Sequence, residues 1–139
     1  MNKNIPKSWG SGRMNLGGLE LNCYVLEDGT PVLNQDKMMD ALGRKPRGGS
    51  RTEKPSFIGA VNLQAFIRPE LENYLKGIEF YDGGRIVKGY DAKILPLLCD
   101  VYLEARRHHN VLTKHQQPLA VASEILVRSF AKIGIIALI

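Results

Sequence analysis

The chain has 139 residues, of which 44% are hydrophobic and 24% charged, and it carries a formal net charge of +5. This composition is typical of a globular protein and excludes a chain that is disordered throughout. No apolar run approaches the roughly 18 residues that cross a bilayer, and residues 1–7 lack the apolar stretch of a secretory signal. We therefore expect a cytoplasmic protein without a membrane partner.

The N-terminal part predicts a flexible lead followed by a β-hairpin. Residues 1–18 are rich in glycine and have no hydrophobic period, which favours a flexible lead. Apolar and polar residues then alternate over 19–25, and Asp28-Gly29 separates this run from residues 30–33. Because Pro31 cannot donate a ladder hydrogen bond, the second strand should be short or at an edge.

A short helix and a basic connector are predicted next. Asn34 is a suitable N-cap and Gly43 a suitable end for a helix over residues 35–42. Residues 44–55 combine glycine, two prolines and many cations, a composition typical of a linker. We place a boundary between two subdomains there.

The second half predicts another hairpin and two long helices. Pro69 begins a helix that Gly77 ends, and the strands 78–81 and 85–87 flank a turn with Gly83 and Gly84. Asp91 then opens a helix with a broad apolar face. A final helix begins at a capping box over 113–116 or at Pro118, which gives an αα-hairpin.

The predicted fold class is α+β: an N-terminal hairpin with a short helix, a basic linker, and a second hairpin followed by the αα-hairpin. The predicted boundaries are a lead at 1–18, a hairpin and helix subdomain at 19–43, a linker at 44–55 and an α+β subdomain at 56–139.

Basic charge is concentrated in the linker. Between residues 44 and 54, five cations stand against the single acid Glu53, a net charge of +4. Arginine forks match phosphate oxygens, so this segment is the predicted nucleic-acid contact, although a solvated loop would have the same composition. The five residues are Arg44, Lys45, Arg47, Arg51 and Lys54.

A secondary basic contact is predicted where the two long helices meet. It consists of Arg106, Arg107 and Lys114. The alternative is that cations at a helix C-terminus simply complement its partial negative charge. The neighbouring histidines, His108 and His109, point about 100° apart on a helix, so no metal site is predicted.

No catalytic group, cofactor or small-molecule substrate is predicted. The acids are each explained by a turn, a cap or an exposed helical face, so no set of titratable groups converges. The two cysteines, Cys23 and Cys99, lie in apolar patterns and are predicted to be reduced thiols rather than a disulfide. We therefore do not expect an enzyme.

The chain closes on an apolar segment without a polar tail. Its predicted interface residues are Ile135, Ile136, Leu138 and Ile139. Exposed apolar surface of this kind favours contact with another molecule or with a further domain. We therefore expect either a homo-oligomer or a truncated chain whose C-terminal domain is missing.

Several runs of residues resemble one family of phage and prophage proteins. The C-terminal domain of this family is named after the p-sixty-three protein of a myxobacterial phage. The runs are Cys23–Leu33, Gly89–Ala92, Leu95-Pro96 with Cys99, Val101–Arg106 and Gly134–Ile139. The likeness covers about residues 19–139 and implies that this chain corresponds to the region upstream of that domain. The family is also similar to phage antirepressor-type regulators, which implies a regulatory protein that binds DNA.

Two hypotheses follow for the function. The first is a phage-derived, nucleic-acid-associated or regulatory module that contacts the phosphate backbone through the basic linker. The alternative is a protein-interaction or oligomerisation module that does not bind nucleic acid, with the apolar end and amphipathic helices as its contact surface.

Overall fold

The computed structural model describes residues 5–43 and 57–138, with side chains as far as Ile133. The strands are β1 (Ser8–Leu16), β2 (Leu19–Leu26), β3 (Pro31–Asn34), β4 (Ile78–Asp82) and β5 (Arg85–Asp91). The helices are α1 (Gln35–Ala41), a 3-10 helix (Val61–Phe66), α2 (Pro69–Glu72), α3 (Ile94–Arg106) and α4 (Gln117–Leu138). The α+β class predicted from the sequence is confirmed.

The predicted first hairpin and its helix are confirmed. β2 and β3 pair antiparallel, and the side chain of Asn34 accepts a hydrogen bond from the Lys37 N–H at 3.2 Å. The chain leaves α1 through Gly43, whose φ of +79° is the left-handed conformation predicted for it. β3 is short, as Pro31 indicated, but it lies in the centre of the sheet.

The prediction of a flexible lead is wrong for residues 8–16, which form β1. This strand pairs with β2 through the two-residue loop Gly17-Gly18, in a register that places Met14 opposite Leu21 and Leu16 opposite Leu19. Glycines occupy positions 10 and 12, where apolar side chains would have shown the period of two. The strand therefore forms by pairing with β2 and carries almost no pattern of its own.

The two predicted subdomains share one sheet and one core. The strand order is β1-β2-β3-β5-β4, and β3 pairs antiparallel with β5, with Leu33 opposite Tyr90. One apolar cluster contains buried residues from Leu16 to Leu126. The predicted boundary at the linker is therefore not a boundary between separate cores.

The helices pack on one face of the sheet, and a smaller apolar cluster lies on the other face. Tyr24 and Phe80 belong to that cluster, and their ring centroids lie 5.1 Å apart. Residues before β1 cross this end of the sheet: the Tyr81 N–H donates to the Pro6 carbonyl and the Glu27 N–H to the Lys7 carbonyl. The first strand thereby begins between the ends of β2 and β4.

The second half follows the prediction with shifted boundaries. α2 ends at Glu72, before the predicted end at Gly77, and β5 continues to Asp91, which was predicted to open the helix. Asp91 Oδ1 instead accepts from the Lys93 N–H at 2.9 Å, in the turn just before α3. The apolar face of α3 is buried as predicted.

The αα-hairpin is confirmed, and residues of its predicted capping box are used. Gln116 Oε1 accepts from the Thr113 N–H at 2.9 Å, which is the reciprocal bond of such a box. Further along α4, Glu124 and Arg128 lie on one face with Glu124 Oε2 3.7 Å from Arg128 Nη2.

Candidate nucleic-acid interface

The five cations of the predicted contact, Arg44, Lys45, Arg47, Arg51 and Lys54, lie outside the described residues. The two positions where this basic segment joins the fold are described. Gly43 precedes it at the end of α1, and Phe57 follows it. The contacts of Gly43 and Phe57 show to which part of the molecule the basic segment is attached.

Gly43 lies beside the start of α4. A Cβ added to Gly43 would be 3.9 Å from the Cβ of Pro118, in the first turn of that helix. Lys114 and His115 are exposed on the loop just before it. The residue that precedes the basic segment therefore lies next to the loop that joins α3 and α4.

Phe57 is anchored to α3 and to the sheet. Its side chain is fully buried, and its ring meets that of Tyr90 edge to face with the centroids 5.2 Å apart. Its backbone carbonyl accepts a hydrogen bond from the hydroxyl of Tyr102, one helical turn before Arg106. The first described residue after the segment therefore lies against the second half of α3, which leads into the same loop.

A buried polar network fixes that loop in place. Asn62 Nδ2 donates to the Val111 carbonyl at 2.8 Å and to Gln116 Oε1 at 2.6 Å. Gln116 is only 5% exposed and also accepts from the Thr113 N–H. Because buried amides are costly to leave unpaired, this network holds the 3-10 helix against the loop between α3 and α4.

Arg106, one residue of the predicted secondary contact, forms an ion pair that joins the two long helices. Its Nη2 lies 2.8 Å from Glu124 Oε1, and Arg128 reaches the other oxygen of the same carboxylate. The hydrogen bond from Arg106, and then the charges of Arg128 and Arg106, hold the pKa of Glu124 below its usual value. Arg106 therefore ties α3 to α4, and its charge is partly balanced.

The other two residues of the secondary contact, Arg107 and Lys114, point more freely into solvent. The side chain of Arg107 is 77% exposed and lies 3.4 Å from Glu104. The ring of His108 packs on Phe66, with the centroids 5.3 Å apart. Within the part of the chain that the structure describes, no group of three potential metal ligands is found.

A groove of about 420 Å³ runs beside these residues, and no pattern in the sequence indicates it. Leu103 and Val127 belong to its lining, and Arg68 and Arg107 lie in it together with Asp100. Its lining holds both cations and acids, so it lacks the single sign of charge that would make it a phosphate site by itself.

The predicted apolar interface lies on the last turns of α4. The backbone there is helical as far as Leu138, the side chains of Ile135, Ile136 and Leu138 lie outside the description, and so does Ile139. Phe130 contributes to an apolar groove with Leu95 at the start of α3. Past Phe130, α4 therefore continues beyond the start of α3, and Ile133 is 51% exposed there.

Both cysteines are free thiols. Burial raises the pKa of the Cys99 thiol to about 12, and burial also raises that of Cys23. A thiol with such a pKa stays protonated near neutral pH and is a poor nucleophile.

Comparison with known protein families, with curated proteins and with solved structures gives no match for this chain. None of the helices in residues 5–43 and 57–138 is both long enough and apolar enough to cross a membrane.

Proposed function

We propose that this protein is a nucleic-acid-associated or regulatory module that holds the phosphate backbone through the basic segment 44–54. The proposal rests on one observation. Both anchors of the segment, Gly43 and Phe57, lie against the end of the molecule where Arg107 and Lys114 are exposed. A net charge of +4 in the segment is thus attached beside further exposed cations.

This arrangement favours binding along a backbone more than the reading of bases. The loop between α3 and α4 spans residues 107–116, which is longer than the turn of three or four residues in a helix-turn-helix. Glycines at 48 and 49 allow the chain to come close to a strand of phosphates. The resemblance to phage regulators agrees with a role on nucleic acid.

The test is the salt dependence of binding. Titration of the full chain with duplex and single-stranded oligonucleotides should give a linear fall of log K with log salt concentration, with a slope of about 0.9 for each duplex phosphate neutralised. Changing Arg44, Lys45, Arg47, Arg51 and Lys54 to Ala should flatten that slope and weaken binding similarly for all sequences.

A matched control separates the segment from total charge. Five lysines that are exposed elsewhere are changed to Ala, which removes the same formal charge: Lys37, Lys76, Lys88, Lys93 and Lys132. This variant should keep most of the slope. Equal losses in both variants would mean that net charge alone drives binding, and the absence of binding at low salt would rule the proposal out.

The extended end of α4 favours a second candidate, an oligomerisation module without nucleic-acid binding. α4 is 22 residues long against 13 in α3, and its last turns follow the exposed Ile133. This candidate predicts a salt-insensitive oligomer that dissociates when residues 135–139 are deleted. Light scattering with and without DNA distinguishes the two functions, because only the nucleic-acid-binding module should form a complex with DNA, and that complex should dissociate as salt is added.

A further inference from the structure

The strand β1 lies at the edge of the sheet with one side open. It pairs with β2, and none of the residues that the structure describes pairs with its outer side between Gly10 and Leu16. All residues from 9 to 15 are exposed, and Trp9 at its start is 78% exposed.

The hydrogen-bonding pattern shows which backbone N–H and C=O groups of β1 do not bond to β2. With the two-residue loop Gly17-Gly18, the pair Leu16 and Leu19 is a hydrogen-bonded pair, and such pairs alternate along an antiparallel ladder. The N–H and C=O groups of Ser11, Arg13 and Asn15 therefore point away from β2. Their natural partner is another extended strand.

β1 has one irregularity in its register, between Ser8 and Gly10, and beyond it this edge lacks the usual protection against strand pairing. Natural edge strands carry lysine, proline or a bulge that keeps other chains away. From Gly10 to Leu16 the register is unbroken, no lysine or proline occurs, and Arg13 is the only charge. That charge lies 3.3 Å from Glu20 on the neighbouring strand, so it is already balanced.

We propose that two copies of this chain join through β1, antiparallel and related by a two-fold axis at Gly12, so that the two sheets become one. In this register Ser11 of each copy faces Arg13 of the other, and these pairs exchange both of their backbone hydrogen bonds. The two Arg13 side chains are diagonal neighbours in this register, farther apart than a directly opposite pair would be. A like-charge pair directly opposite would oppose the contact.

On the second face of the strand, the side chains of the two copies also fit each other in the same register. Met14 is 42% exposed at the rim of an apolar groove of about 240 Å³ that continues to Leu95 and Phe130. It would lie opposite Gly10 of the other copy, and a Cβ added at Gly10 or Gly12 meets nothing within 4 Å. The glycines thus leave room for the methionine and for the approach of the two backbones.

Opposite charges at one position test the register. Ser11→Glu places a carboxylate facing Arg13 of the other copy, whereas Ser11→Lys places two cations together. With two such pairs per dimer, the dissociation constant from sedimentation equilibrium should fall about fivefold for Ser11→Glu and rise about fivefold for Ser11→Lys. The emission of Trp9, the only tryptophan, should shift to the blue as the dimer forms.

Val61, which is 66% exposed on the 3-10 helix, provides the control. Val61→Glu and Val61→Lys change net charge equally and should leave the dissociation constant unchanged, while circular dichroism verifies that each variant is folded. A wild-type chain that stays monomeric up to about 1 mM would overturn the proposal. The proposal would also be overturned if both Ser11 changes left the dissociation constant of the dimer unchanged and removal of residues 135–139 dissociated it. The contact would then lie on α4.

Discussion

Replacing Gly89 by Ala should strongly destabilise the fold, because this residue lies where the two halves of the sheet meet. Gly89 in β5 pairs with Asn34 in β3 on one side and with Ile78 in β4 on the other. An added Cβ would lie 2.5 Å from the backbone oxygen of Leu33 and 3.0 Å from Cε1 of Phe80. The first atom belongs to the ladder itself, so it cannot rotate away as the end of a flexible side chain would.

Overpacking of a dense interior costs about 1–3 kcal/mol. We expect Gly89→Ala to fall in the upper half of that range, since the closest contact is with backbone. For a domain of this size, that loss lowers the melting temperature by roughly 10 °C. Urea unfolding and calorimetry of the intact chain measure both quantities.

Gly84→Ala is the matched control, because Gly84 lies in the turn between β4 and β5, away from β1, its φ is not positive, and a Cβ there meets nothing within 4 Å. Its free energy of unfolding should be unchanged or raised by up to about 1 kcal/mol, as the unfolded chain loses freedom. If Gly89→Ala stayed within about 0.5 kcal/mol of the wild type, the packing of β5 between Leu33 and Phe80 would be refuted.

Three further predictions concern the end of the molecule near the loop and the two thiols. Gln116→Ala should lower the free energy of unfolding by about 1–3 kcal/mol, and adding Asn62→Ala should cost less than the sum of the single changes; additive costs would show that the two amides act independently. Because the pKa of Glu124 is depressed, its contribution is present above pH 4.5 and is lost as the pH falls through the lower folded pKa. Glu124→Gln should therefore destabilise the protein at neutral pH and match it in acid, and a difference that persisted in acid would contradict the ion pair. In thiol labelling at pH 8, Cys99 should react only after unfolding while Cys23 reacts slowly in the native protein, and two fast thiols would refute the burial of Cys99.

The elements that could be predicted from the sequence are those specified locally. The first hairpin and α1 depend on an alternation, a turn dipeptide, Asn34 as a cap and Gly43 as an end, and all of these act within a few residues. β1 was missed because glycines replace the apolar side chains that make a strand visible, although Gly17-Gly18 is itself a two-residue hairpin loop.

The features that the sequence analysis did not predict correctly depend on contacts between residues far apart in the chain. The pairing of Leu33 with Tyr90 joins the two predicted subdomains, and no local pattern specifies which strand edges meet. Arg106 illustrates the same limit at the candidate site. Its charge is evident in the sequence, but its ion pair with Glu124 depends on how α4 packs against α3.

The central position of β3 has a consequence for the order of events during synthesis. β3 ends at Asn34, and its partner β5 begins only at Arg85. At about 5–20 residues per second, the ribosome needs several seconds to deliver that partner. Throughout this interval the strand that pairs with β3 in the native sheet is absent, so the two halves of the sheet can join only late in synthesis.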